Sequence, residues 1–382
     1  MLSLVEHESY FTSLPRHYYV SEEIFEAERH KVFSRQWVYA GHVSQVREPG
    51  DYYVRAVGPE SLIIARDGEG RLRAFFNVCR HRGSRICAGD ATGSAKVFVC
   101  PYHRWSYGID GRLRGAPGAR DGQDFDYADW GLQEAHCGSY FGSIYVYLAD
   151  DEPEETLYDT LSAVTSDMDK LALIEPERTK VAHREVYEVN ANWKSLLENN
   201  CECYHCPGGH PSLCVAWDPQ IGFLRDDGTM HPLQKELYVP LRPGTKTFSI
   251  DGDWVCSRPL GTPQADRFSV GWILTPNFSA LAYFADHGVA IVVEPISVDR
   301  SRLVAEWFVH EDAVEGVDYD VQRLIEVFHV TNLEDVAFVE QNYQGSTSLR
   351  YVPGPNNPRR ETFLRNALTK YEALMDTAID GP

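Results

Sequence analysis

At 382 residues the chain is long enough for two domains, or for one domain carrying a large insertion. Its 43% hydrophobic and 24% charged content is ordinary for a soluble globular enzyme, and a net charge of −20 argues against nucleic acid as a partner, because a polyanion would be repelled. The first twenty residues carry charges and a proline where a secretory signal needs an apolar run, no segment approaches the roughly 20 apolar residues of a membrane helix, and nine cysteines make an odd number for a secreted disulfide framework, so the expected location is the cytoplasm, away from membranes.

In chain order, Ser21–Trp37 reads as a helix: Ser21 suits the N-cap, and Ile24, Phe25, Val32 and Phe33 recur at helical spacing. From about Tyr39 the period changes. DYYVRAV, SLIIARD and LRAFFNV are short β-rich runs parted by Gly-containing turns such as DGEG, and the texture continues through KVFVC, WSYGIDGRL and SIYVYLA to about Ala149. Glu154–Leu173 returns to helical spacing, KVAHREVYEVNANW predicts a strand, and NWKSLLENNCECYH predicts a helix. Thr247–His310 is mostly strand-like, and YDVQRLIEVFHVTNLEDVAFVEQNYQG and RETFLRNALTKYEALMD close the chain as helices. No internal repeat or low-complexity linker is present. The expected fold is α+β, with an all-β domain at 40–150 inserted between a helical segment at 1–39 and a larger α+β domain at 151–382.

Two clusters of metal-binding residue types interrupt this pattern. In the β domain, Cys79 and His81 are two apart and share a face on an extended chain; Cys100 and His103 repeat the pairing after eighteen intervening residues. Gly83, Gly89 and Gly93 flank the first pair and Pro101, Gly108 and Gly111 the second, so two hairpin tips would each offer one thiolate and one imidazole. Zinc motifs generally pair Cys with Cys and His with His. Alternating Cys/His pairs instead suit a Rieske 2Fe-2S cluster, with both cysteines on one iron and both histidines on the other.

CRHRGSRI together with CPYHRWSYGIDGRL resembles the Rieske domain of the ring-hydroxylating oxygenase α-subunit family. The resemblance implies that Cys79, His81, Cys100 and His103 hold the cluster. Arg104 stands where Gly is commonest in that family, which alters the loop but removes no ligand. Cys87, between the pairs, reads as a plain small residue.

The second cluster is ENNCECYHCPGGHPSLC, from Glu198 to Cys214. On a continuing helix Glu198, Glu202 and His205 fall at i, i+4 and i+7, on one face. His210 would then lie about 140° round from His205, and PGG at 207–209 is expected to break the helix and swing it back. Two imidazoles meeting a carboxylate from elsewhere would form the facial triad of non-haem Fe(II) oxygenases. Cys201, Cys203 and Cys206 have the wrong spacing for a zinc knuckle and read as bystanders.

NWKSLLENNCECYHCPGGH is similar to the mononuclear-iron motif of the same family. That likeness implies His205 and His210 as iron ligands, and Glu202 as the carboxylate linking the iron site to a Rieske histidine of a neighbouring subunit. TNLEDVAFVEQNYQGSTSLRYVPGP resembles the family's ligand helix and points to Asp335 as third ligand, with Glu334 as the alternative if the register shifts by one. The resemblance further implies a central antiparallel sheet flanked by helices, dioxygen as co-substrate, a flavin/iron-sulfur reductase drawing on NAD(P)H, and a head-to-tail homotrimer.

Glutamate within ECYHC, and the chain length, look like the branch that monooxygenates N-methylated quaternary amines such as glycine betaine, carnitine or proline betaine, by N-demethylation or hydroxylation. Trp254 and Trp272 are candidates for a cage around a cation, although aromatics more often fill a core. The competing readings are an aromatic-ring hydroxylating dioxygenase on the same metals and a structural zinc-binding scaffold.

Overall fold

The β-rich runs of the first half fold as strands, in a computed structural model that describes residues 11–58, 60–119, 124–219, 239–262, 268–358 and 360–377. The outer ends of the expected first and last segments, 1–10 and 378–382, lie outside the described residues. Contacts divide the chain into two compact units. One comprises Phe33–Leu161 with Pro176–Val181; the other takes the chain up to Val32, Ser162–Glu175 and everything from Ala182 onward.

The first unit is all β. Strands β1 (Val38–His42), β2 (Asp51–Val57), β3 (Glu60–Arg66), β4 (Leu72–Phe76) and β5 (Thr92–Ser94) precede β6 (Val97–Val99), β7 (Ser106–Gly108) and β8 (Leu113–Gly115), and β9 (Glu134–Tyr140) and β10 (Ser143–Tyr147) complete the set. A seven-stranded sheet runs β1-β10-β9-β4-β3-β2-β5, and β6-β7-β8 form a small separate meander. Ile63, Phe75, Phe98, Trp105 and Tyr107 share one hydrophobic core with Cys79 and Cys100. Both thiols are therefore fixed by apolar packing, at the roots of the loops that follow β4 and β6.

The second unit is built on a six-stranded antiparallel sheet, in the order β11-β16-β15-β14-β13-β12. Its strands are β11 (Thr179–Val189), β12 (Val239–Pro240), β13 (Phe268–Leu274), β14 (Ser279–Tyr283), β15 (Gly288–Ser297) and β16 (Arg300–His310). Helices α1 (Glu22–Glu28), α2 (Trp193–Asn200), α3 (Val321–Ser346) and α4 (Thr362–Asp376) accompany it. Trp272 is fully buried in β13 and packs against Tyr283, ring centroids 6.1 Å apart, whereas Trp254 is 40% exposed. Trp272 thus belongs to the core of the sheet, as the ordinary use of aromatics suggests.

Three helices depart from expectation. Ser21 caps α1, its side chain accepting from the Ile24 N–H, but the α-helix gives way at Arg29 to a π-turn ending at Phe33. The segment Glu154–Leu173 holds two short helices, Leu157–Ser162 and Met168–Ile174, because Asp167 starts the second by accepting from the Lys170 N–H. The third departure shapes the site. Helix α2, capped by Asn192, stops at Asn200, so Glu202 and His205 do not continue its face. The Glu202 carboxylate instead accepts from the backbone N–H groups of Tyr204 and His205, a local bond that competes with helix propagation.

Candidate metal centres

Each loop of the first unit closes on itself in the same way. The Gly83 N–H donates to the Cys79 carbonyl at 2.9 Å, and the Arg104 N–H donates to the Cys100 carbonyl at 3.1 Å. Both turns place their closing residue in the left-handed region, Gly83 at φ 74° and Arg104 at φ 64°. Glycine takes that conformation freely; arginine is strained there.

The four candidate ligands separate by type. Cys79 and Cys100 are buried in one hydrophobic core. The Tyr107 hydroxyl lies 3.2 Å from the Cys79 sulfur and accepts from the Arg80 N–H at 3.0 Å. His81 and His103 stand edge to face, centroids 4.5 Å apart, and His81 stacks flat on Trp105 at 4.9 Å. Burial raises the Cys79 thiol and its neighbour Cys100 raises it further, against the Tyr107 hydroxyl and the His81 N–H, which lower it. Burial also raises Cys100, but the N–H groups of Tyr102 and His103 and the Cys79 thiol more than offset this and hold it below the ordinary value. Burial, with the charges of His103 and Arg82, lowers His81 and favours the neutral imidazole a ligand must be.

Among the described residues the only convergent set of three or more donors lies elsewhere, around His205 and His210. A thiol pair beside an imidazole pair fits a cluster of two irons with unlike ligands.

In the second unit the histidines meet by a route the sequence did not suggest. PGG does not break a helix; it lies within a helical turn of its own, Cys206–Gly209, with Pro207 near the start, where its missing N–H costs nothing. His205 caps this turn, and the His210 N–H closes it on the Cys206 carbonyl at 2.9 Å. The rings then approach to 3.1 Å between Nε2 atoms.

Asp335, buried on α3, brings Oδ1 to 3.0 Å from His210 Nε2 and 3.3 Å from His205 Nε2. Three donors separated by 3.0 to 3.3 Å match adjacent corners of an octahedron with bonds of about 2.1 Å. They fit one iron with the opposite face open. Cys206 Sγ lies 4.0 Å from His205 Nε2, but Cys203 and burial push its thiol far up and keep it protonated, a poor ligand.

Glu334, the alternative third ligand, is on the other side of His210: its Oε2 is 2.8 Å from Nδ1. Glu202 makes the matching contact to His205 Nδ1. Each histidine thus has a carboxylate behind it, which fixes the tautomer presenting Nε2 to a metal. The Asn199 amide donates to Asp335 Oδ1 at 3.0 Å. Asn199 escaped the sequence reading, as did Tyr107, Trp105 and Phe338, whose ring lies about 6 Å from both imidazoles. An aromatic or amide beside a ligand carries no spacing signature; only the fold reveals its aim.

Burial lowers His205, yet hydrogen bonds to Asp335, Cys206 and Glu202 outweigh it and push the imidazole up to about 12. His210 is raised for the same reason, by Asp335 and then Glu334. Burial raises Asp335 and the two histidines lower it, with a net fall. The site is an electrostatic well for positive charge, where a cation replaces protons.

Residues 36–127 match the Rieske [2Fe-2S] domain family, and residues 176–377 match the ring-hydroxylating α-subunit catalytic domain family. The glycine betaine monooxygenase oxygenase subunit of Pseudomonas aeruginosa (strain UCBPP-PA14) is 33% identical over 388 residues, covering 95% of this chain and 89% of its own. The carnitine monooxygenase oxygenase subunit of Escherichia coli (strain K12) is 32% identical, covering 89% and 85%. Among solved structures, the quaternary ammonium Rieske monooxygenase CntA in complex with L-carnitine shares the fold, with a TM-score of 0.74 at 22% identity over 96% of both chains. Naphthalene 1,2-dioxygenase from Rhodococcus sp. shares it too, with a TM-score of 0.70 at 20% identity over 95% and 94%.

Proposed function

The chain belongs to the Rieske non-haem iron oxygenase α-subunit family, an oxidoreductase family, and on that premise we propose that it is the oxygenase component of a monooxygenase acting on an N-methylated quaternary amine. The observation that carries the substrate class is the full-length likeness, at about one residue in three, to oxygenase subunits acting on glycine betaine and carnitine.

Cys79, His81, Cys100 and His103 are the proposed ligands of the 2Fe-2S cluster, and His205, His210 and Asp335 those of the mononuclear iron. When bound, these groups relay single electrons and activate dioxygen for insertion of one oxygen atom beside the substrate nitrogen. The protein's part is orientation. Asn199 holds the Asp335 carboxylate, Glu334 and Glu202 hold the two imidazoles by their Nδ1 atoms, and Phe338 closes an apolar wall against both rings. Glu202 has a second proposed role as the carboxylate bridging to a cluster histidine of another copy in a homotrimer, fed by a flavin/iron-sulfur reductase and NAD(P)H. The domains are proposed to divide at 40–150 and 151–382, with 1–39 joining the latter. The cytoplasm is the proposed location; no helix among the described residues is long and apolar enough to cross a membrane.

The test is turnover of glycine betaine, carnitine and proline betaine with a reductase, NAD(P)H and dioxygen, scored by formaldehyde or aldehyde release. Product from at least one betaine is expected. Turnover of an aromatic ring with none of any betaine would reject the substrate class and leave the two metal centres standing.

A further inference from the structure

Beside His205 lies a chamber of about 210 Å³ whose walls include Ser195, Glu198, Glu202, His205, Asn356 and Glu361. Three carboxylates face this one small space, with Phe338, Val339 and Leu364 completing its walls. Two further polar atoms in its walls, Ser195 Oγ and Asn356 Nδ2, have no hydrogen-bond partner although their residues are only 5% and 9% exposed. Buried polar atoms are almost always satisfied, and a space of this size with polar groups in its walls accommodates several waters. The donors and acceptors left over in the walls are those that such waters would use.

We propose that the chamber holds a chain of ordered water and that Glu198 is its proton-holding group, giving a proton to chamber water during turnover and recovering it from solvent through the same water. In that step the carboxyl O–H bond breaks, its electron pair stays on the carboxylate, and the proton passes to water; reprotonation reverses it. This use of the proton rests on the oxygenase reading. Inserting one atom of dioxygen into a substrate and reducing the other to water consumes two electrons, which the reductase supplies, and two protons, which must reach a closed site.

Glu198 is placed for that role by every element around it. The Tyr19 hydroxyl donates to its Oε1 at 2.6 Å. Lys194 and Cys201 flank it on its own helical segment, Glu361 faces it from the residue before α4, and Tyr351 lies beside Tyr19. Lys194 is committed to a buried ion pair with Glu28 and does not neutralise Glu198 fully. Burial pushes the Glu198 carboxyl up, Tyr19 and Lys194 pull it back, and the Glu361 charge raises it again, to about 7. A group poised there both holds and yields a proton at neutral pH.

The experiment is infrared difference spectroscopy of the holoenzyme between about pH 5 and about pH 9, where ordinary carboxyls are already ionised. A protonated-carboxyl C=O band is expected that fades with a midpoint near 7, shifts on transfer to D2O and is missing in Glu198→Gln. In Glu361→Gln, which keeps the chamber and removes only the neighbouring charge, the midpoint moves to lower pH. Turnover is the second arm: Glu198→Gln lowers kcat by roughly tenfold or more, with KM and the cluster's paramagnetic signal unchanged. A band that survives in Glu198→Gln, a band that never exchanges with D2O, or an unchanged kcat overturns the proposal. A wild-type protein that shows the band yet oxidises no substrate supports the proton-holding assignment and overturns the oxygenase reading instead.

Discussion

Glu334 and Asp335 are consecutive on one helix, yet they address opposite edges of the same imidazole: Glu334 Oε2 lies 2.8 Å from His210 Nδ1, and Asp335 Oδ1 lies 3.0 Å from His210 Nε2. Only one of them is on the side where His205 Nε2 also points, so the two carboxylates have different work. Asp335→Ala is expected to abolish mononuclear iron binding while the cluster's absorption and paramagnetic signal persist. Glu334→Gln is expected to keep the iron but weaken its binding by about 10- to 100-fold, the usual cost of losing a group that orients a ligand. Metal analysis after dialysis against graded chelator separates them. Equal iron loss in both variants would put Glu334 on the metal.

The two cluster loops supply an internal control on backbone strain. Gly83 and Arg104 close equivalent turns at φ 74° and 64°, and a Cβ at Gly83 would meet no neighbour within 4 Å. Only the conformation is at issue, and the left-handed region costs a non-glycine residue about 1 kcal/mol or more. Arg104→Gly should therefore raise the thermal midpoint and Gly83→Ala lower it, each by the equivalent of about 1 kcal/mol. An unchanged midpoint in Arg104→Gly would mean that the arginine side chain recovers what its backbone loses.

Much of this architecture was legible beforehand because its signals are local. The alternating Cys/His pairs fall on two loops that meet, His81 and His103 with ring centroids 4.5 Å apart, and the runs DYYVRAV, SLIIARD and LRAFFNV form β2, β3 and β4. The turn that carries His205 departs from its sequence pattern for an equally physical reason. Periodicity predicts a helix through Glu202, but that carboxylate bonds the N–H groups of Tyr204 and His205 and ends it. PGG, which usually marks a break, forms a helical turn here because Pro207 falls where no N–H is needed. Contacts across long sequence separations, such as Asn199 to Asp335 at 136 residues, left no trace in any pattern.

A buried ion pair underpins the helix that carries Glu198 and Asn199. Lys194 Nζ lies 2.5 Å from Glu28 Oε1, both side chains fully buried, and Glu28 also accepts from Trp193 Nε1 at 2.7 Å and the Tyr371 hydroxyl at 2.6 Å. Removing one partner strands a charge. Lys194→Met is expected to cost about 3–5 kcal/mol, and the double variant Lys194→Met, Glu28→Leu less than the sum of the single ones. Additive losses in thermal or chemical denaturation would show that the pair is not coupled.

Iron loading should be strongly proton-linked. In the metal-free protein His205 is held up to about 12 and so carries a proton at neutral pH, and His210 is raised above its ordinary value, whereas a ligand imidazole must be neutral. Binding is expected to release about one proton per iron near pH 7, the one carried by His205, and apparent affinity to rise with pH. Calorimetry in buffers of differing ionisation enthalpy measures this directly. The stability of the metal-free form has the opposite trend. A histidine raised on folding stabilises fully below its unfolded value, about 6.5, and that contribution is lost as pH rises toward about 12. Iron binding that releases no proton near pH 7 would contradict the charge assigned to His205.

The last prediction concerns Glu202, which bonds to His205 Nδ1 and, through the Tyr204 and His205 N–H groups, also shapes the turn presenting that histidine. Two roles in one carboxylate require two variants. Glu202→Gln keeps an oxygen for the backbone N–H groups and so preserves the turn, while losing the charge that a bridge between copies needs. Glu202→Ala loses both. If Glu202 carries electrons between copies, both variants should retain cluster and iron, yet reoxidation of the reduced cluster under dioxygen and substrate, followed by stopped-flow absorbance, should slow by about 100-fold or more, roughly the 2.7 kcal/mol of two decades in rate. If the residue serves only the turn, Glu202→Gln reoxidises like the wild type and Glu202→Ala alone is slow. The difference between the two variants, not the loss in either, decides which role governs turnover.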